Sequence, residues 1–410
     1  MSNILQNMTI HYFSNPQFRP GLAYGVDQRN ILGGQRFIDA KQTIEQWQGY
    51  SPSPLVELPH LARELGIKNI LYKDESRRFG LSSFKALGGA YAVFRLLLRK
   101  IQYDYPQDDV SLQDLLSGKY REVTEKITVT CATDGNHGRS VAWGARTFGC
   151  KCVIYIHSTV SQGRADAIAK YGADVIRTQG NYDDSVRQAD HDAKQLGRFV
   201  VSDTSYEGYM DVPKDVMQGY AVMADEVLQK IPSQQKISHV FLQGGVGGLA
   251  AAVTAQLWEQ LGDQKPIFIV VEPDQAACLF ESAKAGQPVA VEGELNTIMA
   301  GLACGEVSLL AWSILKDAVS HFLTIDDQSA VEVMKILATG QYGDQNIVAG
   351  ESAVAGLAGC IGAATHPDLK KALQLDEKSC VLVIGSEGAT DPELYQQIIG
   401  KTAEQIWSAA

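Results

Sequence analysis

LYKDESRRFGLSSFKALGGAY, residues 71–91, leaves a short apolar strand at Ile70–Tyr72, crosses a polar turn and enters a string of small residues, Ala86, Gly88, Gly89 and Ala90. Lys85 heads that string, preceded by Ser82, Ser83 and Phe84. Partial burial of such a lysine disfavours the ammonium, lowers its pKa and leaves a neutral amine able to attack an aldehyde. The same pattern also fits a surface lysine snorkelling at the start of a helix. The chemistry therefore needs support from elsewhere in the chain.

The alternation of strand, small-residue turn and helix recurs. Apolar runs mark strands at Ile70–Tyr72, Ile127–Ala132, Cys152–His157, Asp174–Arg177, Val240–Leu242, Ile267–Val271 and Val381–Ile384. Helical patterning follows Asn136, Val160, Tyr182, Val212 and Gly248. Strands that are apolar nearly throughout are those of a parallel sheet covered on both faces, so the fold class is α/β. In such sheets ligands bind beyond the carboxyl ends of strands, and three more segments with chemical content lie there.

ITVTCATDGNHGRSVAWGA (127–145) reads as a strand, a glycine-bounded turn and a helix opening at about Asn136. Backbone N–H groups at that helix start suit a carboxylate or phosphate. Asp134 beside them either caps the helix or meets a cation of the ligand. HVFLQGGVGGLAAAVTAQL (239–257) places Gly244, Gly245, Val246, Gly247 and Gly248 between a strand and an Ala-rich helix, a cup for phosphate. VLVIGSEGATDPELY (381–395) ends a buried strand at Ser386, with Thr390 beyond; a hydroxyl there can bond a neutral heterocyclic nitrogen or simply satisfy its own turn.

The chain has 410 residues, 45% apolar and 20% charged, close to globular averages and long enough for two or three domains. Acidic residues outnumber basic ones 47 to 36, a formal charge of −11, and no Lys/Arg block stands out, so nucleic acid is not an expected partner. Neither a signal-peptide pattern nor an apolar stretch of membrane-helix length is found, and the reading is cytoplasmic with no membrane contact. The seven cysteines are scattered; most read as buried thiols, and pairing of Cys278 with Cys304 is left open. No metal-ligand spacing is present. The polar stretch 103–125 reads as a surface excursion with one short helix, and 324–349 as a cap over a site or interface.

A nucleophilic lysine, a phosphate cup and a strand-end hydroxyl together suit a cofactor with an aldehyde, a phosphate and a ring nitrogen, and pyridoxal 5′-phosphate has all three. SSFKALGGA, GNHG, GGVGG and the final strand with Ser386 occur in the order found in fold-type II pyridoxal-phosphate enzymes, the tryptophan synthase β and threonine dehydratase group, which the chain resembles from about Pro54 to Pro392. More narrowly, residues 51–89, ATDGNHGRSVAWGA, SDTSYEGYMDVPKDVMQGY and TIMAGLACG are similar to the diaminopropionate ammonia-lyases of that group. The resemblance implies a three-layer α/β fold of two domains with the cofactor in the cleft between them, and a homodimer. It implies a Schiff base on Lys85, Phe84 and Asn136 beside the cofactor, Gly244–Gly248 around its phosphate, and Ser386 near its pyridine nitrogen, with Gly385 or Thr390 as alternatives there.

Asp134 stands where related serine and threonine dehydratases usually carry a small neutral residue. A carboxylate near the substrate β-carbon attracts the amine of 2,3-diaminopropionate and gains nothing comparable from serine. Asp134 and Asp203, the latter equally readable as a turn residue, are thus candidates for proton transfer. Ser82, Ser83, Gly135 and His137 are candidates for holding an amino-acid substrate. The expected reaction is α,β-elimination from D- and L-diaminopropionate to pyruvate and two ammonia. Lys85 would serve the L- and Asp134 the D-enantiomer. A serine or threonine dehydratase, a catalytically silent cofactor-binding protein and, on the glycine loop alone, a nicotinamide dehydrogenase are the competing readings. The large domain is expected at 1–87 with 201–410, the small one at 88–200.

Overall fold

The structure is a computed structural model that describes residues 8–180, 182–232 and 235–408. The chain forms two compact units, Met1–Gly33 with Pro52–Arg78 and Met223–Ala410, and Gly34–Ser51 with Phe79–Val222. The strands are β1 (Ile10–Ser14), β2 (Leu55–Glu57), β3 (Asn69–Asp74), β4 (Thr128–Thr133), β5 (Lys151–Ile156), β6 (Asp174–Arg177), β7 (Phe199–Val200), β8 (His239–Gln243), β9 (Ile267–Pro273), β10 (Val319–Ile325) and β11 (Cys380–Gly385).

The larger unit holds a seven-stranded sheet in the order β1-β10-β9-β8-β11-β3-β2, parallel except where the edge strands β1 and β2 pair antiparallel. β8 and β11 are buried at every position, as strands covered on both faces must be. The helix Ala355–Thr365 is buried through its first ten residues and packs on β8, β9, β10 and β11. Its glycines permit that approach: a Cβ at Gly356 would lie 2.7 Å from the Phe241 carbonyl oxygen, and one at Gly359 2.5 Å from Val271 Cγ2.

The smaller unit holds a parallel four-stranded sheet, β6-β5-β4-β7. The helix Lys85–Asp104 packs against the helix Asn136–Phe148. Small residues bring their backbones together: a Cβ at Gly89 would lie 2.5 Å from Ser140 Oγ, and one at Gly144 2.7 Å from Ala90 Cα. The small residues after Lys85 thus build a helix pair. Because that packing draws in residues on both sides of the expected 88–200, the unit also takes 34–51, 79–87 and 201–222.

Every strand expected from apolar runs is present within two residues at each end, while β1, β2, β7 and β10 are additional. β10, VSHFLTI, hides because Ser320, His321 and Thr324 interrupt its apolar run; Ser320 is buried by donating its hydroxyl to the Phe268 carbonyl at 3.0 Å. Residues 103–125 carry two short helices, Leu112–Leu116 and Arg121–Thr124, instead of one. The stretch 324–349 is no cap: its helix Asp327–Thr339 buries Ala330, Val333, Met334 and Leu337 in the core of the larger unit.

Candidate active site

In the smaller unit β4 and β7 are neighbours, so the turns after them lie side by side at the carboxyl edge of the sheet. One turn carries Asp134, Gly135 and Asn136, the other Asp203. Lys85 Nζ donates to Asp203 Oδ2 in a largely buried ion pair. Burial opposes the charge on Lys85, but the Asp203 carboxylate holds its pKa above the ordinary lysine value. This reverses the lowering expected from burial alone. Burial likewise works against ionised Asp203, yet the Lys85 ammonium keeps its carboxyl well below the usual range.

His137 is buried and its ring is bonded within the smaller unit. Its Nε2 bonds the Val201 carbonyl at 2.7 Å, and its Nδ1 lies 3.7 Å from Asp203 Oδ2. Burial lowers its pKa, so it is the neutral ring, with the proton on Nε2, that faces the carboxylate. Asn136 opens the helix Asn136–Phe148, and its Oδ1 accepts from Arg139 Nη2 at 3.0 Å, an orientation that makes Nδ2 the amide's donor side. Arg139 also donates to the Leu81 carbonyl, tying the Asn136 turn to the segment before Lys85. Asp134 does not cap this helix: the residue at the cap is Gly135, at φ 154°, without a side-chain bond. Its carbonyl accepts from Arg164 Nη1 at 3.2 Å.

The turn before Lys85 is strained in a defined way. Phe79 and Ser82 adopt φ 51° and 54°, the left-handed region that non-glycine residues avoid. Phe79 is held there by its ring, which packs 5.0 Å from Trp143 and 5.8 Å from Trp47. Ser83 is buried, and its Oγ accepts from the Lys85 N–H at 3.3 Å. Phe84 packs against Tyr220 with centroids 4.6 Å apart and ring planes tilted by 58°.

In the larger unit β8, β11 and β3 are adjacent and parallel, so the glycine loop after β8 and Ser386 after β11 are neighbours. The contact is direct: Gln243 Nε2 donates to Ser386 Oγ at 2.9 Å and to the Ile384 carbonyl at 2.8 Å. Gly245 and Gly247 have φ 62° and 96°, and the helix Gly248–Leu261 starts immediately after. The loop is anchored from behind by the Cys278 thiol donating to Gly245 O at 3.4 Å and Ser308 N donating to Val246 O at 2.9 Å. A Cβ at Gly244 would lie 2.2 Å from Glu272 Cγ. Burial pushes Glu272 up to about 8, against the N–H groups of Leu279 and Phe280 that it accepts at 2.9 and 2.7 Å.

These residues fit pyridoxal 5′-phosphate. In the smaller unit Lys85 supplies a largely buried amine; in the larger unit the glycine loop supplies a helix start with backbone donors and Ser386, 4% exposed, a hydroxyl that accepts from Gln243. The Thr390 hydroxyl is used on Glu387 Oε2 at 3.1 Å. A Gly385 side chain would run into Tyr72. All seven cysteines are free thiols, Cys278 and Cys304 included. Tyr220, Arg139 and Arg164 escaped the sequence reading. Their only signals were the phrase MQGY at the end of a quoted segment and the arginine following GNHG. Among the described residues no helix is long and apolar enough to cross a membrane.

A family model described as pyridoxal-phosphate dependent enzyme matches residues 46–387. A diaminopropionate ammonia-lyase of Escherichia coli K12 is 42% identical over 364 residues, 88% of this chain and 90% of its own. The crystal structure of the Escherichia coli diaminopropionate ammonia-lyase in complex with D-serine matches with a TM-score of 0.87 at 38% identity, covering 97% and 98% of the two chains. The same enzyme in complex with an aminoacrylate-PLP azomethine reaction intermediate matches at 0.83, again 38% identical, over 96% and 97%.

Proposed function

Since the chain belongs to the pyridoxal-phosphate dependent enzyme family, we propose that it is a carbon–nitrogen lyase that eliminates both amino groups of 2,3-diaminopropionate, D or L, to give pyruvate and two ammonia. The observation that carries this reading is 42% identity over 88% of the chain to a diaminopropionate ammonia-lyase, with Asp134 on the turn beside that of Asp203, the ion-pair partner of Lys85.

Lys85 would hold the cofactor's aldehyde carbon, Asn136 its phenolic oxygen, Phe84 its flank, the backbone of Gly244–Gly248 its phosphate and Ser386 its ring nitrogen. The cofactor, when bound, supplies an electron sink that makes the substrate α-hydrogen acidic. This chain's residues do the rest. The N–H groups of the Gly135 turn and the hydroxyls of Ser82 and Ser83 orient the substrate carboxylate. The Asp134 carboxylate takes the β-ammonium and discriminates against a β-hydroxyl. The Lys85 amine removes the α-hydrogen of the L-substrate and Asp134 that of the D-substrate. Asp203 receives the resulting ammonium on Lys85. The β-nitrogen departs as ammonia, and the three-carbon remainder hydrolyses to pyruvate and the second ammonia. We take the enzyme to be a homodimer, following the resemblance.

The test is pyruvate and ammonia release from D- and L-2,3-diaminopropionate, with L-serine and L-threonine in parallel. We expect two ammonia per pyruvate from the diamino acids and much slower turnover of the hydroxy acids. Faster turnover of serine or threonine would make the chain a dehydratase. Absence of a visible absorbance band after incubation with pyridoxal 5′-phosphate would remove the cofactor assignment itself.

A further inference from the structure

Tyr220 closes the segment SDTSYEGYMDVPKDVMQGY, yet the reaction above gives it no part. The structure has gone to some length to place it. It lies on the helix Asp211–Lys230 and is 1% exposed. Its ring packs on Phe84 with centroids 4.6 Å apart, and Lys85 Nζ lies 5.7 Å from its centroid. Gly88 must lack a side chain to admit it, since a Cβ there would stand 2.3 Å from Tyr220 Cε1. The neighbouring Gly219 admits the same helix, its Cβ position being 2.3 Å from the Leu87 carbonyl oxygen. Among the described residues the buried hydroxyl has no hydrogen-bond partner. Leaving a buried hydroxyl unpaired is costly, and such groups persist where something outside the resting contacts pairs with them.

We propose that Tyr220 is a positioning residue for Lys85: its unpartnered hydroxyl oxygen stands ready as a second acceptor that the ε-ammonium, 5.7 Å from its ring centroid, takes up in addition to Asp203. A lysine ammonium has three donors, and Asp203 accounts for one. A neutral acceptor and an aromatic face add to its stabilisation without competing with Asp203 for charge. The groups facing Lys85 are then Asp203 from the turn after β7, Asp134 from the turn after β4, and Tyr220 from its helix, with His137 behind Asp203. Burial keeps the phenol protonated, so it acts by hydrogen bonding and not as a base. The proposal rests on Lys85 being the cofactor lysine, not on the choice of substrate.

Tyr220→Phe keeps the ring and its packing and removes only the oxygen. Losing an acceptor for the ammonium makes the neutral amine more available. Uptake of pyridoxal 5′-phosphate by the cofactor-free variant, followed by visible absorbance from pH 6 to 9, should therefore be roughly three- to tenfold faster on the acid side. The same loss makes Lys85 a weaker base, so the ratio of D- to L-diaminopropionate kcat should rise by a similar factor. A residue serving packing alone would slow uptake and both enantiomers together. An uptake profile that overlays that of the unsubstituted protein, or is slower, overturns the proposal. If neither protein turns over diaminopropionate, the substrate reading fails while the uptake comparison still decides the role of Tyr220.

Discussion

Lys85 shows what one residue's neighbours in sequence reveal and what they conceal. Serines before it and glycines after it marked it as a lysine held in confined surroundings, and burial suggested an amine of lowered basicity. The carboxylate that reverses that shift, Asp203, lies 118 positions away, so local context had no means of supplying it. Asp134 was legible for a different reason: an acid beside a helix start has few occupations, and the structure removes one of them by putting Gly135 at the cap. Replacing Asp134 by Asn keeps the size and removes the charge. We expect KM for both enantiomers to rise and kcat for the D-substrate to fall by about two orders of magnitude, the usual worth of a positioned acid or base. The L-substrate should be affected far less in kcat. Steady-state kinetics with the two enantiomers measures this, and equal kcat losses would remove Asp134 as a base.

At the scale of elements, the glycines divide into those that serve the ligand and those that serve packing, a division invisible in the string GGVGG or in KALGGA. Gly88 and Gly89 belong to helix contacts, with Tyr220 and Ser140. Gly244 belongs to both on the proposed function, because its Cβ position is filled by buried Glu272 while its backbone begins the loop proposed to hold the phosphate. Gly244→Ala should displace the loop from Glu272 and weaken cofactor retention at least tenfold, one hydrogen bond to a charged group being worth about that factor. Equilibrium dialysis against pyridoxal 5′-phosphate would show it, and unchanged affinity would mean the loop does not hold the phosphate. Gly88→Ala forces an overlap with Tyr220 and with the Val216 carbonyl 2.6 Å away. Overpacking of this kind costs about 1–3 kcal/mol, visible in thermal unfolding.

On the scale of the whole molecule, the larger unit spends much of its polar interior on one buried cluster. Arg78 donates to Glu75 at 2.7 and 2.8 Å and to Glu226 at 2.7 and 2.9 Å, Lys73 pairs with Glu226, and Ser53 bonds both acids. Lys73, Glu75, Arg78 and Glu226 are all less than 5% exposed. Burial opposes the charge of Glu226, but Arg78 and Lys73 hold its pKa below the ordinary 4.5. Its contribution to stability is therefore complete above about pH 4.5 and disappears as the pH falls through the lowered value. Glu226→Gln should cost about 3–5 kcal/mol at neutral pH by leaving buried cations undercompensated. The variant should also lose less thermal stability than the parent on acidification below pH 4.5, by the share that Glu226 contributes. A variant as stable as the parent at pH 7 would show the cluster to be energetically neutral.

Order along the chain was enough for the α/β alternation, seven of the strands, the four strand-end motifs and the cofactor they suit, because strand burial, turns and helix starts are written in residues close to one another. Tertiary structure alone decided which strands lie side by side, and hence that the Asp134 and Asp203 turns are neighbours and that Gln243 reaches Ser386. It also decided that Lys85 is ion-paired, that Tyr220 stands by it with an unpartnered hydroxyl, and that the apolar strand β10 survives three polar interruptions. The reason is physical: periodicity reports which face of an element is buried, whereas charge and hydrogen bonding depend on what is packed against that face, and for Lys85 and Ser386 the partners come from more than a hundred residues away.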